Sequence, residues 1–123
     1  MKPGHRNHTD CKAISDVLQR VGDKWTVLVV SYLGERKMRF NELRRTIGNI
    51  SQKMLTTTLR DLEHDGFVTR TVYPTVPPRV EYELTELGRD LLNPVHALIT
   101  WAKANRERME AARQRYEMRL AAE

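Results

Sequence analysis

The sequence has one cysteine, Cys11, among its 123 residues. No disulfide framework can therefore form within one chain, and this usage is typical of a reducing cytoplasm. No apolar run approaches the roughly 20 residues that a bilayer span needs. Residues 1–6 lack the apolar core of a signal peptide. We therefore expect a cytoplasmic protein with no membrane partner.

The sequence also lacks the motifs of the common enzyme and metal-site classes. Its four histidines are scattered, and their spacing matches no zinc pattern. It contains no nucleophile elbow, phosphate-binding loop or metalloprotease motif. We expect a protein that is not an enzyme and that needs no cofactor or metal.

Positive charge, by contrast, is in excess. The chain carries 21 Lys and Arg against 16 Asp and Glu, which gives a net charge of +5 and a pI near 9.7. A basic domain of this size favours polyanionic partners, although ribosomal proteins and cationic enzymes share the trait. The apolar fraction of 40% is enough for one modest core.

Hydrophobic periodicity predicts a mainly helical chain with one small β-hairpin. Helices are expected at residues 12–21, 24–33, 40–46 and 50–66, then strands at 67–73 and 80–84, and a helix from about 86 to 102. Asp23, Ser51 and Thr85 are predicted to cap helices, and Gly66 to end one in a left-handed conformation. Pro94 predicts a kink or break near residue 93.

The order of these elements describes a winged helix-turn-helix, in which the hairpin is the wing. We expect a flexible arm at residues 1–10, the winged domain with dimerisation helices at 11–104, and a charged helical tail at 105–123.

The helix at residues 50–66 is predicted to be the recognition helix. Its leucines share one side, while short hydroxyls, an amide and cations occupy the other, and its N-terminal end would enter the major groove. The candidates for base contact are Ser51, Gln52, Lys53, Thr56 and Thr57. The candidates for phosphate contact are Arg39, Arg44, Arg60, Arg70 and Arg79. The alternative is that these are ordinary solvated residues of amphipathic helices.

Several segments make the sequence resemble the HxlR-type winged helix-turn-helix regulators of bacteria and archaea. They are GDKWT at 22–26, RFNELRR at 39–45, ISQKMLT at 50–56, LRDLEHDG at 59–66 and VYPTVPPRVEYELT at 72–85. The resemblance runs from about Cys11 to Trp101. It implies a homodimeric transcription regulator that binds double-stranded DNA at an inverted repeat. It also implies that the first and last helices of this region form the dimer interface.

Dimer contacts are expected from apolar residues that a small core does not need. These candidates are Ile14, Leu18, Leu98, Ile99 and Trp101. The alternative is that they cover the domain's own core.

Cys11 is placed just before the first predicted helix, where the helix dipole and Lys12 favour a thiolate while Asp10 opposes it. Some members of the resembling family sense oxidants or electrophiles through a cysteine near this position, which makes Cys11 a candidate redox sensor. The alternative is a chemically quiet residue at the dimer contact. A regulator switched by a small-molecule ligand, and a winged helix that binds protein or RNA, also remain open.

Overall fold

The structure is a computed structural model that describes residues 8–123, with side chains from Asp10 onward. Its elements are α1 (His8–Val21), α2 (Lys24–Glu35), β1 (Met38–Arg39), α3 (Phe40–Ile47), α4 (Gln52–His64), β2 (Val68–Tyr73), β3 (Arg79–Leu84), α5 (Glu86–Ala104) and α6 (Arg106–Ala122). This mainly helical chain with a small antiparallel sheet confirms the predicted winged helix-turn-helix fold. The expected flexible arm lies mostly outside the described residues.

The chain divides into two compact units, one ending at Leu92 and the other beginning at Asn93. The first contains α1 to α4, the sheet and the start of α5. The second contains the rest of α5 and α6. None of the helices between His8 and Ala122 has the length and hydrophobicity that a membrane span requires.

Two helix starts follow the predicted capping chemistry. Asp23 Oδ1 accepts a hydrogen bond of 2.9 Å from the backbone N–H of Trp25 at the start of α2. Ser51 Oγ accepts one of 3.0 Å from the N–H of Met54 at the start of α4. Each cap satisfies a backbone donor that the helix leaves unpaired, and this fixes where α2 and α4 begin.

Thr85 joins the start of α5 to the end of α4. Its hydroxyl donates to the carbonyl of Gly66 at 2.6 Å and accepts from the N–H of Gly88 at 3.1 Å. Gly66 has a φ of +83°, which confirms the predicted left-handed residue. The path of the chain after α4 is therefore fixed by two features that are hydrogen-bonded to each other, the left-handed Gly66 and the Thr85 cap of α5.

The core of the first unit lies between α2, α3, α4 and the sheet. Its buried members are Val29, Val30, Leu33, Met38, Leu43, Ile50, Leu55, Leu59, Leu62, Val68, Tyr82 and Leu84. The three leucines of α4 that the periodicity placed on one side are all among them. Burial of this stripe anchors α4, because a buried leucine contributes about 1.5–3 kcal/mol.

The sheet has three strands in the order β1-β3-β2, all antiparallel. Val68 pairs with Leu84 at the root of the hairpin, and Tyr73 pairs with Arg79 near its tip. The sequence prediction missed β1, because two residues cannot show a period of two. β1 leads directly into α3, so it fixes the wing to the helix-turn-helix.

Three other details differ from the predictions. α1 begins at His8 rather than Lys12, because Asp10 in its first turn complements the helix dipole without adding apolar periodicity. Cys11 therefore lies within α1, not before it. α5 continues through Pro94 as one helix, so the expected break is absent, although the boundary between the two compact units falls at Asn93, where the kink or break was expected.

Candidate nucleic-acid interface

α4 separates a buried face from an exposed one. Leu55, Leu59 and Leu62 are buried, and so is Thr58, whose hydroxyl donates to the carbonyl of Met54 at 2.8 Å. The predicted base-contact residues are exposed, except for the partly buried Thr56. The first turn of α4 therefore presents polar groups while its leucines hold it in the core.

A cleft of about 600 Å³ lies between α4 and the sheet. Gln52, Thr56 and Arg60, spaced by four residues, line its helical side, and Arg70 on β2 lines its sheet side. Lys53 and Thr57 are not among its lining residues. The candidates on α4 thus form two groups. One group lines the cleft beside the wing, and the other, Lys53 and Thr57, is exposed outside the cleft.

Arg44 supports the turn that precedes α4. Its Nε donates to the carbonyl of Ile50 at 3.3 Å, and its own carbonyl accepts from the N–H of Gly48 at 2.9 Å. Gly48 has a φ of +93°. Arg44 is exposed, so a phosphate contact stays a prediction, but the side chain also bridges the turn.

Arg79 is held within the wing. Its guanidinium lies 4.4 Å from the ring centroid of Tyr73, and its Nε lies 3.3 Å from Oε2 of Glu81. The Nε is buried and has no hydrogen-bond partner among the described side chains, so the contact with Glu81 is an ion pair that does not meet hydrogen-bond geometry. Lys37 Nζ lies 3.6 Å from the other carboxylate oxygen. Glu81 therefore offsets part of the positive charge at the wing.

A second, polar depression of about 980 Å³ lies between the start of α3 and the wing tip. Arg39, Arg45 and Arg79 line it. Glu42 accepts from the backbone N–H of Arg39 at 3.0 Å and from Arg36 at 3.1 Å. These bonds, led by the one from the Arg39 backbone, lower the pKa of the Glu42 carboxyl. Arg45 was absent from the predicted contacts, although its outward position on α3 was visible in the helical period.

The predicted dimer candidates are mostly exposed. On α1, Ile14 and Leu18 are exposed and lie along the same face as Cys11. On α5, Leu98 and Trp101 are exposed, whereas Ile99 is partly buried. Four of the five candidates are therefore exposed in the single chain, and their role in a dimer contact stays a prediction.

A sequence profile of the HxlR-like helix-turn-helix family matches residues 20–110. The chain belongs to this family. This HxlR-like protein is a helix-turn-helix transcription regulator, and its relatives and its fold are those of regulators rather than of enzymes.

Three known proteins illustrate the relationship. The chain is 42% identical over 113 residues to the uncharacterized HTH-type transcriptional regulator YtfH of Escherichia coli K12, covering 92% of this chain and 89% of YtfH. The reduced form of the redox regulator HypR matches with a TM-score of 0.76 and 43% identity, over 80% of this chain and 98% of HypR. The reduced form of the transcriptional regulator YodB from Bacillus subtilis matches with a TM-score of 0.68 and 33% identity, over 83% and 91%.

Proposed function

We propose that this HxlR-like regulator binds double-stranded DNA sequence-specifically as a homodimer on an inverted repeat. The observation that carries the proposal is the exposed polar N-terminal part of α4, which begins at the Ser51 cap and is anchored by buried leucines. In helix-turn-helix proteins the N-terminal residues of the second helix contact base edges in the major groove.

The base contacts follow from the chemistry of the side chains. Lys53 donates to acceptors such as guanine O6 and N7. Gln52 can accept from adenine N6 with its amide oxygen and donate to adenine N7 with its amide NH2. Thr56 and Thr57 offer hydroxyls and methyl groups, and Ser51 keeps its hydroxyl hydrogen for a nearby acceptor because its oxygen caps α4.

Phosphate contacts are assigned to arginines around this helix. Arg60 and Arg70 are exposed and line the same cleft from opposite sides, and Glu63 lines it as well. Further phosphate contacts are assigned to Arg39 and Arg44 near the turn and to Arg79 in the wing. Arg45 on α3 is added to this group. Their charge favours binding by releasing counterions from DNA.

A homodimer explains the exposed apolar residues on α1 and α5, since burial of such surface drives association. Two subunits related by a dyad would place their recognition helices at half-sites about 34–36 Å apart. The charged tail at residues 105–123 is a helix whose side chains are mostly exposed, and we assign it no DNA contact.

Cys11 is proposed as the sensor that controls binding. It is exposed on the face of α1 that carries Ile14 and Leu18. A peroxide would oxidise its thiolate to sulfenic acid, and condensation with a second thiol would give a disulfide and water. Two structural relatives are called a redox regulator and a diamide-treated regulator, which favours this input over a small-molecule ligand.

The proposed function is tested by selecting duplexes from random sequence with the wild-type protein and then titrating them at several salt concentrations. We expect an inverted repeat and a steep loss of affinity with salt. A binder without sequence preference would contradict the proposal and favour the protein-interaction or RNA-binding reading.

Substitution Lys53→Ala tests the base contact directly. It should reduce discrimination at one base pair of each half-site by about 1–3 kcal/mol, because a specific donor is lost. The matched control is Lys103→Ala, which removes the same charge from α5. Equal weakening on every sequence would instead assign Lys53 to phosphate.

A further inference from the structure

Arg20 connects the last turn of α1 to the last turn of α4. Its Nε donates to Oδ2 of Asp65, and its Nη1 lies 3.6 Å from Oδ2 of Asp61. The Arg20 and Asp65 side chains are only 28% and 24% exposed. The Lys12–Asp16 pair on α1 is 78% and 61% exposed. Solvent and salt therefore screen the Arg20 bridge less than the Lys12 pair.

The end of α4 needs such a cation. Asp61, Glu63 and Asp65 lie close to its C-terminus, where the helix dipole is negative and carboxylates are unfavourable. His64 is the only basic residue in its last turn. Arg20 supplies positive charge from a different helix, so the end of α4 depends on the position of α1.

The ionisation of the pair agrees with this geometry. The hydrogen bond from Arg20 lowers the pKa of the Asp65 carboxyl, against the opposing effect of partial burial. The same bond raises the pKa of the Arg20 guanidinium. Both groups are thus held in their charged forms by each other.

A groove of about 450 Å³ lies beside this bridge, with Val17 and Arg20 of α1 among its lining residues. His64, Asp65 and Phe67 line it from the end of α4. The Arg20 bridge therefore links α1 to the end of α4 beside this groove.

We propose that Arg20 is a positioning residue for DNA recognition, which sets the direction of α4 by holding its C-terminal end against α1. The inference rests on the proposed function, because it concerns the same helix. α4 is about 20 Å long. A displacement of its held end therefore changes the angle at which its opposite end meets the bases.

The test compares Arg20→Gln with Lys12→Gln, since each removes one positive charge from α1. Both are titrated against the selected duplex and a scrambled duplex over a range of salt. Arg20→Gln should lower the ratio of specific to non-specific affinity by about 2- to 30-fold, the range for residues that act without touching the ligand. Lys12→Gln should leave the ratio unchanged, and neither should change the salt slope.

Two results of the titration would overturn the inference. One is an equal effect of the two substitutions on the ratio. The other is a salt slope that is about one unit shallower for Arg20→Gln alone, which would make Arg20 a phosphate contact. Arg20→Lys keeps the charge without the forked geometry and should restore part of the ratio. Asp65→Asn breaks the same bridge while keeping Arg20, and it replaces Arg20→Gln if that variant does not fold.

Amide hydrogen exchange tests the bridge without DNA. Arg20→Gln should accelerate exchange in the last turn of α4 but not in the core of α2, whereas Lys12→Gln should change neither. Unchanged exchange in α4 would overturn the inference. A wild-type protein without sequence preference would refute the proposed function and leave this measurement valid.

Discussion

Thr56 and Thr57 are neighbours on α4, but their hydroxyls differ. Thr56 Oγ1 donates to the carbonyl of Gln52 at 2.8 Å, so its hydrogen is already used. Toward a base it can only accept, and adenine N6 and cytosine N4 are the donors in the major groove. The Thr57 hydroxyl has no partner within residues 8–123 and can donate or accept. Under the proposed function, Thr56 is the more discriminating of the two.

Cys11→Ser tests the proposed sensor. Peroxide should change the DNA affinity of the wild type but not of Cys11→Ser, because serine cannot form a sulfenic acid. The measurement is a DNA titration before and after oxidation, with recovery on adding a thiol. The control is Ser15→Ala, on the same face of α1. An equal response of wild type and Cys11→Ser would remove Cys11 from the mechanism.

Residue types predicted the candidate contacts only in part. The helical period identified the exposed face of α4 and the outward arginines. It could not show that Arg79 lies on Tyr73 beside Glu81, or that Arg44 bridges to Ile50. Tyr73 lies on the neighbouring strand and Ile50 beyond the turn after α3, so the folded chain is needed to bring these partners together.

Between elements, the turn of the helix-turn-helix depends on Gly48. Gly48→Ala should destabilise the protein by about 1–3 kcal/mol, since φ is +93° and an L side chain is strained there. A Cβ at this position would meet nothing within 4 Å, so the cost comes from the backbone conformation and not from a clash with neighbouring residues. Urea denaturation measures it, and the matched control is Asn49→Ala in the same turn. Equal stabilities of the two variants would contradict this account.

Helix ends that are marked by a capping residue or a glycine in the nearby sequence were predicted correctly. The short strand β1, which has no such mark, was missed. The caps at Asp23, Ser51 and Thr85 and the glycine at Gly66 are fixed by neighbours within a few residues. β1 exists only because β3 pairs with it, so nothing local marks it.

For the whole molecule, Leu18→Glu tests the proposed dimer. Leu18 is 63% exposed, so the substitution should spare the core but place charge in the interface. Sedimentation should show a dimer for the wild type and a monomer for the variant, which should bind the inverted repeat more weakly. The control for sedimentation is Val72→Glu on the wing, where valine is 51% exposed. A dimeric Leu18→Glu would place the interface elsewhere.

The charge of the whole molecule indicated a polyanionic partner but not the surface that meets it. A net charge does not show where the cations lie, and in this chain they are spread over α1, α3, α4, the wing and α6. The arrangement of Arg60 and Arg70 around one cleft is a property of the fold.

The fixed ends of α4 determine which of its side chains points at a given base. Ser51 holds its first turn, while Thr85 and Arg20 hold its exit. A helix that slipped by one residue would advance about 1.5 Å and rotate about 100°, which would aim Met54 where Lys53 had pointed. The restraints therefore set the rotation and axial position of α4. The DNA sequence that is recognised depends on them as well as on the side chains that contact the bases.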